Sequence, residues 1–111
     1  MTRSIAVLAL AGALGLTACA GQPLPPDQPV PAGEPRAELR ARLDLEPTQG
    51  CEERFDLSLY QSRGIDLIRW DARRDACEGR EVRVRYLPRQ LTREQVVAAL
   101  GQHARRVQVL P

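Results

Sequence analysis

Residues 37–45 read AELRARLDL and alternate without interruption. Leu39, Ala41, Leu43 and Leu45 share one face, while Glu38, Arg40, Arg42 and Asp44 share the other. A period of two marks a strand with one side buried and one in water. The pattern returns at Glu81 to Tyr86, where Val82, Val84 and Tyr86 oppose Arg83 and Arg85, and Pro88 ends the run. Ile65 to Asp71 reads as a third strand, with Ile65, Ile68 and Trp70 as its larger anchors. The polar stretch ARRDACEGR then turns the chain into the Glu81 strand, so the two predict a hairpin. Arg106 to Leu110 predicts a short last strand with Val107 and Val109 inward.

The clearest helix is Leu91 to His103. Thr92 is placed to cap it, Gln95 to complete a capping box, and Leu91 to pack on Val96 as a hydrophobic staple. Val96, Val97, Leu100 and His103 form its core-facing stripe. Cys51 to Arg63 satisfies two patterns. As a helix it stacks Cys51, Phe55, Leu59 and Ser62 on one face, with Thr48 as a cap and Glu52 and Glu53 where the helix dipole favours anions. As a strand it alternates Phe55, Leu57 and Leu59 with Asp56, Ser58 and Tyr60, and residue preferences decide nothing between the two. Under the helical reading the order is βαββαβ. That is a ferredoxin-like α+β sandwich, an antiparallel sheet with two helices on one face.

The first 18 residues cannot belong to this fold. Arg3, an apolar run from Ile5 to Leu16 and small residues before Cys19 make a secretory signal peptide, too short to span a bilayer that needs about 20 helical residues. Leu16, Thr17, Ala18 and Cys19 resemble a bacterial lipobox, which implies lipidation of Cys19. Cleavage after Ala20 is the alternative and would give a soluble product. Ala20 following the cysteine resembles outer-membrane sorting, so the expected location is the envelope, anchored in the outer membrane and facing the periplasm. Acyl chains stabilise such anchoring by about 0.8 kcal/mol per buried methylene. Residues 19–35 then form a tether with six prolines in its last fifteen residues. An extended polyproline II segment of that length reaches about 45 Å. Residues 36–111 remain as one small domain, of a size that is marginally stable without help.

With Cys19 acylated, Cys51 and Cys77 remain as one pair in an oxidising compartment, which favours a disulfide over a thiolate metal site. Every one of the 16 basic residues is arginine. The domain carries fifteen of these arginines against twelve acids, a net charge of +3 and too small a surplus to argue for nucleic acid. No residues assemble a nucleophile, a base and an orienting group, and there is no phosphate loop, so no enzyme activity is expected.

The order and spacing resemble the heavy-metal-associated domain of copper chaperones, mercury-binding proteins and metal-pumping ATPases. In that family a strand leads into Met-x-Cys-x-x-Cys, a helix follows, and a glycine opens the second strand thirteen places after the second cysteine. Here Gly64 and Ile65 follow Cys51 at that spacing, Phe55 and Leu59 occupy the helix's apolar positions, and VRVRYLPRQLTREQVVAAL is similar to the family's third strand and second helix. The resemblance covers nearly all of Ala37 to Leu110 and favours the helical reading of the tied segment. Thr48 stands in place of the first cysteine and Glu46 in place of the methionine, so only Cys51 of the chelating pair carries over. One thiolate cannot give the two-sulfur coordination that soft ions such as Cu(I) prefer.

Two functional expectations follow. In the first, the chain is a lipid-anchored binding module with weak metal handling, in which Cys51, Cys77 and His103 converge on a soft ion such as copper or zinc. In the second, it is a structural or interaction domain stapled by a Cys51–Cys77 disulfide, with Arg40, Arg42, Arg83 and Arg85 facing a protein partner or anionic headgroups.

Overall fold

The computed structural model describes residues 29–111; the expected signal peptide, Cys19 and the expected tether up to residue 28 lie outside the described residues. The elements are β1 (Ala37–Asp44), α1 (Cys51–Leu59), β2 (Ile65–Trp70), β3 (Arg80–Tyr86), α2 (Arg93–His103) and β4 (Arg106–Val109). The sheet order is β2-β3-β1-β4 and every neighbouring pair is antiparallel. The two longest strands sit at the centre, where β1 and β3 pair from Ala37 opposite Tyr86 to Leu43 opposite Arg80. This is the ferredoxin-like α+β fold, with β3 inserted between β1 and β2, the strands that α1 connects.

The alternation fixes which face is covered. Leu39, Ala41, Leu43, Val82, Val84 and Tyr86 are buried together with Phe55, Leu59, Val96 and Leu100 of the helices. The helices therefore lie on one face, and Arg40, Arg42, Arg83 and Arg85 stand on the other. Burying a leucine or valine side chain stabilises by about 1.5–3 kcal/mol, so these inward rows supply the main drive for folding.

The disputed segment is a helix. A strand would have placed Phe55, Leu57 and Leu59 on one face, but Phe55 and Leu59 are buried whereas Leu57 is 70% exposed. The observed burial follows the period of four: Cys51, Phe55 and Leu59 face the core and Leu57 turns to solvent. The helix ends at Leu59, so Ser62 belongs to the following turn and not to its apolar face.

Several details depart from expectation. Thr48 does not cap α1: the cap is Gly50, at φ 74° in the left-handed region and with no side-chain hydrogen bond. Thr48 lies two residues too early and instead donates its backbone N–H to the Glu46 carbonyl (2.7 Å). Val109 aligns with inward-facing Ala41 yet is 37% exposed, because β4 is a short edge strand. His103, placed on the apolar stripe of α2, is exposed at its last turn. The end of the tether is not extended either. The Glu34 N–H donates to the Pro31 carbonyl (3.0 Å), and Arg36 donates to the Glu34 carbonyl (2.9 Å), closing a turn against the domain.

Gly64 has a steric reason to be glycine. A Cβ there would stand 2.5 Å from Leu91 Cγ, so the chain entering β2 and the chain entering α2 pass too closely for a side chain.

Candidate functional site

Two regions carry the chemistry that the sequence singled out: the end of the sandwich where α1 begins, and the helix-free face of the sheet. At the first, Cys51 opens α1 and Cys77 lies in the connection between β2 and β3. The two are joined as a disulfide, with Cα atoms 6.0 Å apart and a sequence separation of 26. Beside them the Leu45 N–H donates to the Cys77 carbonyl (2.7 Å), fastening the same connection to the end of β1.

Under this staple lies a residue that the sequence reading assigned to a polar turn. Arg80 is fully buried. Its Nε donates to Asp71 Oδ1 (2.8 Å), and Nη1 donates to Glu52 Oε2 (3.2 Å) and the Ala76 carbonyl (2.9 Å). Nη2 donates to the Asp71 carbonyl (3.2 Å), and the guanidinium carbon stands 5.0 Å from the centroid of the Trp70 ring. A buried cation is tolerated only when its donors are satisfied and its charge is paired, and both conditions hold here. The signal was present in the sequence: Arg80 is in phase with Val82, Val84 and Tyr86 and so points inward.

Asp71 is the network's acid. Burial raises its carboxyl affinity for a proton, but hydrogen bonds from the Glu81 and Arg73 backbone N–H groups and from Arg80 outweigh it and hold the pKa at about 2. Asp56 moves the other way. Burial lifts it above the ordinary carboxylate value, against the pull of the Trp70 indole N–H, which donates to Asp56 Oδ1 at 2.8 Å. Trp70 in turn meets Phe55 edge-on, with ring centroids 5.3 Å apart.

Cys51 and Cys77 thus come together, and His103 comes only part of the way. It lines a cavity of about 190 Å³ with Cys51, Phe55 and Leu45, its ring edge-on to Phe55 at 6.5 Å between centroids. Among the described residues no three His, Cys, Asp or Glu side chains stand close enough together to hold a metal ion.

On the helix-free face Arg40, Arg42, Arg83 and Arg85 are exposed, as the alternation requires. Arg40 pairs with Glu81 at 3.1 Å. Arg85 pairs with Asp66 at 2.7 Å, and Asp66 also accepts from Arg36 at 3.0 Å. Burial raises the Asp66 pKa, yet these two arginines more than offset it and leave it below the usual value. Asp66 reaches them from an irregularity in β2, between Ile65 opposite Tyr86 and Leu67 opposite Arg85. Arg69, which the sequence reading left unassigned, joins this face opposite Arg83.

Compared with family profiles, with curated proteins and with solved structures, the chain matched none.

Proposed function

We propose that this chain is a non-enzymatic binding module of the cell envelope, anchored through lipid on Cys19 and facing the periplasm. Its domain presents the arginine-bearing sheet face, with Arg40, Arg42, Arg83 and Arg85, to a protein partner. The observation that carries this reading is the division of labour between the two faces. Cys51 and Cys77 are spent on a disulfide at one end of the helical layer, whereas the sheet face carries exposed cations and, among the described residues, no covering helix. The heavy-metal-associated resemblance then describes a fold whose metal loop has become a staple.

Free-thiol titration of the purified chain tests the staple. Cys51 and Cys77 are expected to react only after reduction, and two reactive thiols without reductant would overturn this part of the reading. In that event metal handling becomes the better account, because a reduced Cys51 borders the cavity it shares with His103. A photo-crosslinking residue at Arg42, compared with one at Leu57 on the outer side of α1, tests the face. The expected adduct forms only from position 42 and is abolished by Arg83→Glu; equal adducts from both positions would refute the choice of face. Membrane fractionation of Cys19→Ala tests the anchor, and undiminished membrane association would remove it.

A further inference from the structure

Strand register arranges the arginines of the open face in rows. Arg40 of β1 faces Arg83 of β3, and Arg83 faces Arg69 of β2, so three guanidinium groups share one row across three strands. Adjacent strands lie about 4.8 Å apart, which places the three side chains within a span of about 10 Å. Like charges directly opposed on a sheet repel and destabilise it. The surrounding acids do not relieve the row fully. Glu81 takes Arg40, Asp66 takes Arg85 and Arg36, and Asp71 takes buried Arg80. Arg69 and Arg83 have no ion-pair partner among the described residues. The row borders a concavity of about 310 Å³ that Glu81, paired with Arg40, and Asp71, paired with Arg80, also line.

We propose that this concavity binds a small multivalent oxyanion of the phosphate class, held by Arg69, Arg83 and Arg40. The proposal rests on the reading of the sheet face as the binding surface and adds to the protein-partner reading a small-ligand site within that face. Guanidinium groups present paired N–H donors that match the oxygens of a phosphate, and an oxyanion between them would turn their mutual repulsion into attraction. The shape of the charge selects a small ligand. The neighbouring rows are mixed, with Arg42 opposite Glu81 and Glu38 opposite Arg85, so the positive field is focused at one point. A phosphate-sized group fits within it, whereas an extended acidic polypeptide would run onto exposed Glu38 in the next row. The group can arrive on a soluble phosphate compound or on a lipid headgroup.

Titration of the full-length chain with inorganic pyrophosphate, followed by calorimetry and by amide shifts in β2 and β3, tests the site. One saturable site is expected, weakened at least tenfold by Arg83→Gln and by Arg69→Gln and less than twofold by Arg106→Gln at the far edge. Thermal unfolding of each variant checks that the fold is intact; removing one of three like charges should leave the midpoint unchanged or raise it. Phosphatidylcholine vesicles with and without phosphatidylglycerol distinguish the sources. Capture by the anionic vesicles that pyrophosphate blocks identifies a headgroup, and pyrophosphate binding without capture identifies a soluble compound. No saturable binding, or binding that both Gln variants leave intact, overturns the proposal. If it fails while the adduct from position 42 persists, the face still meets a partner through other chemistry; if both fail, the choice of face falls with it.

Discussion

The two helices of this sandwich start in opposite ways. α2 begins on a self-contained device: Thr92 Oγ1 accepts from the Gln95 N–H (3.1 Å) while Gln95 Oε1 accepts from the Thr92 N–H (2.9 Å). α1 begins on Gly50, with no side-chain cap, and is held from outside by the Cys51–Cys77 disulfide and by Glu52 on buried Arg80. A helix of nine residues is too short to persist on propensity alone. α2 thus carries its start signal within four residues, whereas α1 depends on groups that are more than twenty positions away. Local mutations should therefore damage α2 locally, and mutations in the β2–β3 connection should damage α1 at a distance.

The largest effect is expected from Arg80→Met. Removing one member of a buried ion pair costs about 3–5 kcal/mol, although Asp71 would keep its bonds from the Glu81 and Arg73 N–H groups. Asp71 and Glu52 would both lose their buried partner, and the connection would lose its hold on the α1 start. Urea unfolding of the full chain measures the loss, and a change under 1 kcal/mol would show that the network does not secure that end. Replacing Cys51 and Cys77 together by alanine comes next. A loop closed across a separation of 26 is worth about 3.5 kcal/mol in the chain-entropy view. Hydrogen exchange sharpens the comparison: α1 amides should lose protection before those of α2, and equal loss in both would deny that α1 depends specifically on the staple.

The same contrast explains what the sequence made legible. Strands β1 and β3 could be read because their alternation over consecutive residues needs no knowledge of neighbours, and α2 could be read because its cap is local. For α1, Phe55 and Leu59 satisfy both a strand and a helix, and only the exposure of Leu57 in the assembled fold separates the two. Thr48 was a plausible cap by residue type, but the chain turns into the helix through left-handed Gly50. Arg80 was hidden by its composition. A cation in a run of charged residues reads as a solvated turn unless its inward phase with Val82 is given more weight. The disulfide was legible from the expected compartment and from cysteine arithmetic, whereas the His103 position depends on how the end of α2 packs on Phe55.

A smaller effect follows from acid. The Asp71 pKa in the folded chain is about 2, below its ordinary value of 3.8. A depressed carboxylate contributes stability that is present above its unfolded pKa and lost as pH falls through the folded one. The contribution should therefore be complete above about pH 4 and fade toward pH 2, amounting to about 1–2 kcal/mol after screening by solvent. Asp66, also lowered, acts in the same direction, while Asp56 is raised and opposes it. Urea midpoints measured between pH 5 and pH 2 should fall less steeply in Asp71→Asn than in the parent chain. Parallel slopes would mean that other carboxylates govern the acid limb.

The smallest effect should come from Thr92→Ala, which removes the hydroxyl acceptor and half of the reciprocal pair, at about 1 kcal/mol. Its use lies in combination. Leu91, next to Thr92, packs close to Gly64, at the end of the helical layer away from Cys51. Sites that share no partners add to within about 0.5 kcal/mol. Thr92→Ala placed on the chain lacking Cys51 and Cys77 should therefore cost the same as it does on the parent, because the α2 cap draws on nothing beyond its own first turn. A cost larger by more than 1 kcal/mol without the disulfide would mean that the staple also supports α2, through the packing of Phe55 between the helices and the sheet. The two starts would then be coupled through the core, and the locality of the α2 signal would be a property of the sequence alone.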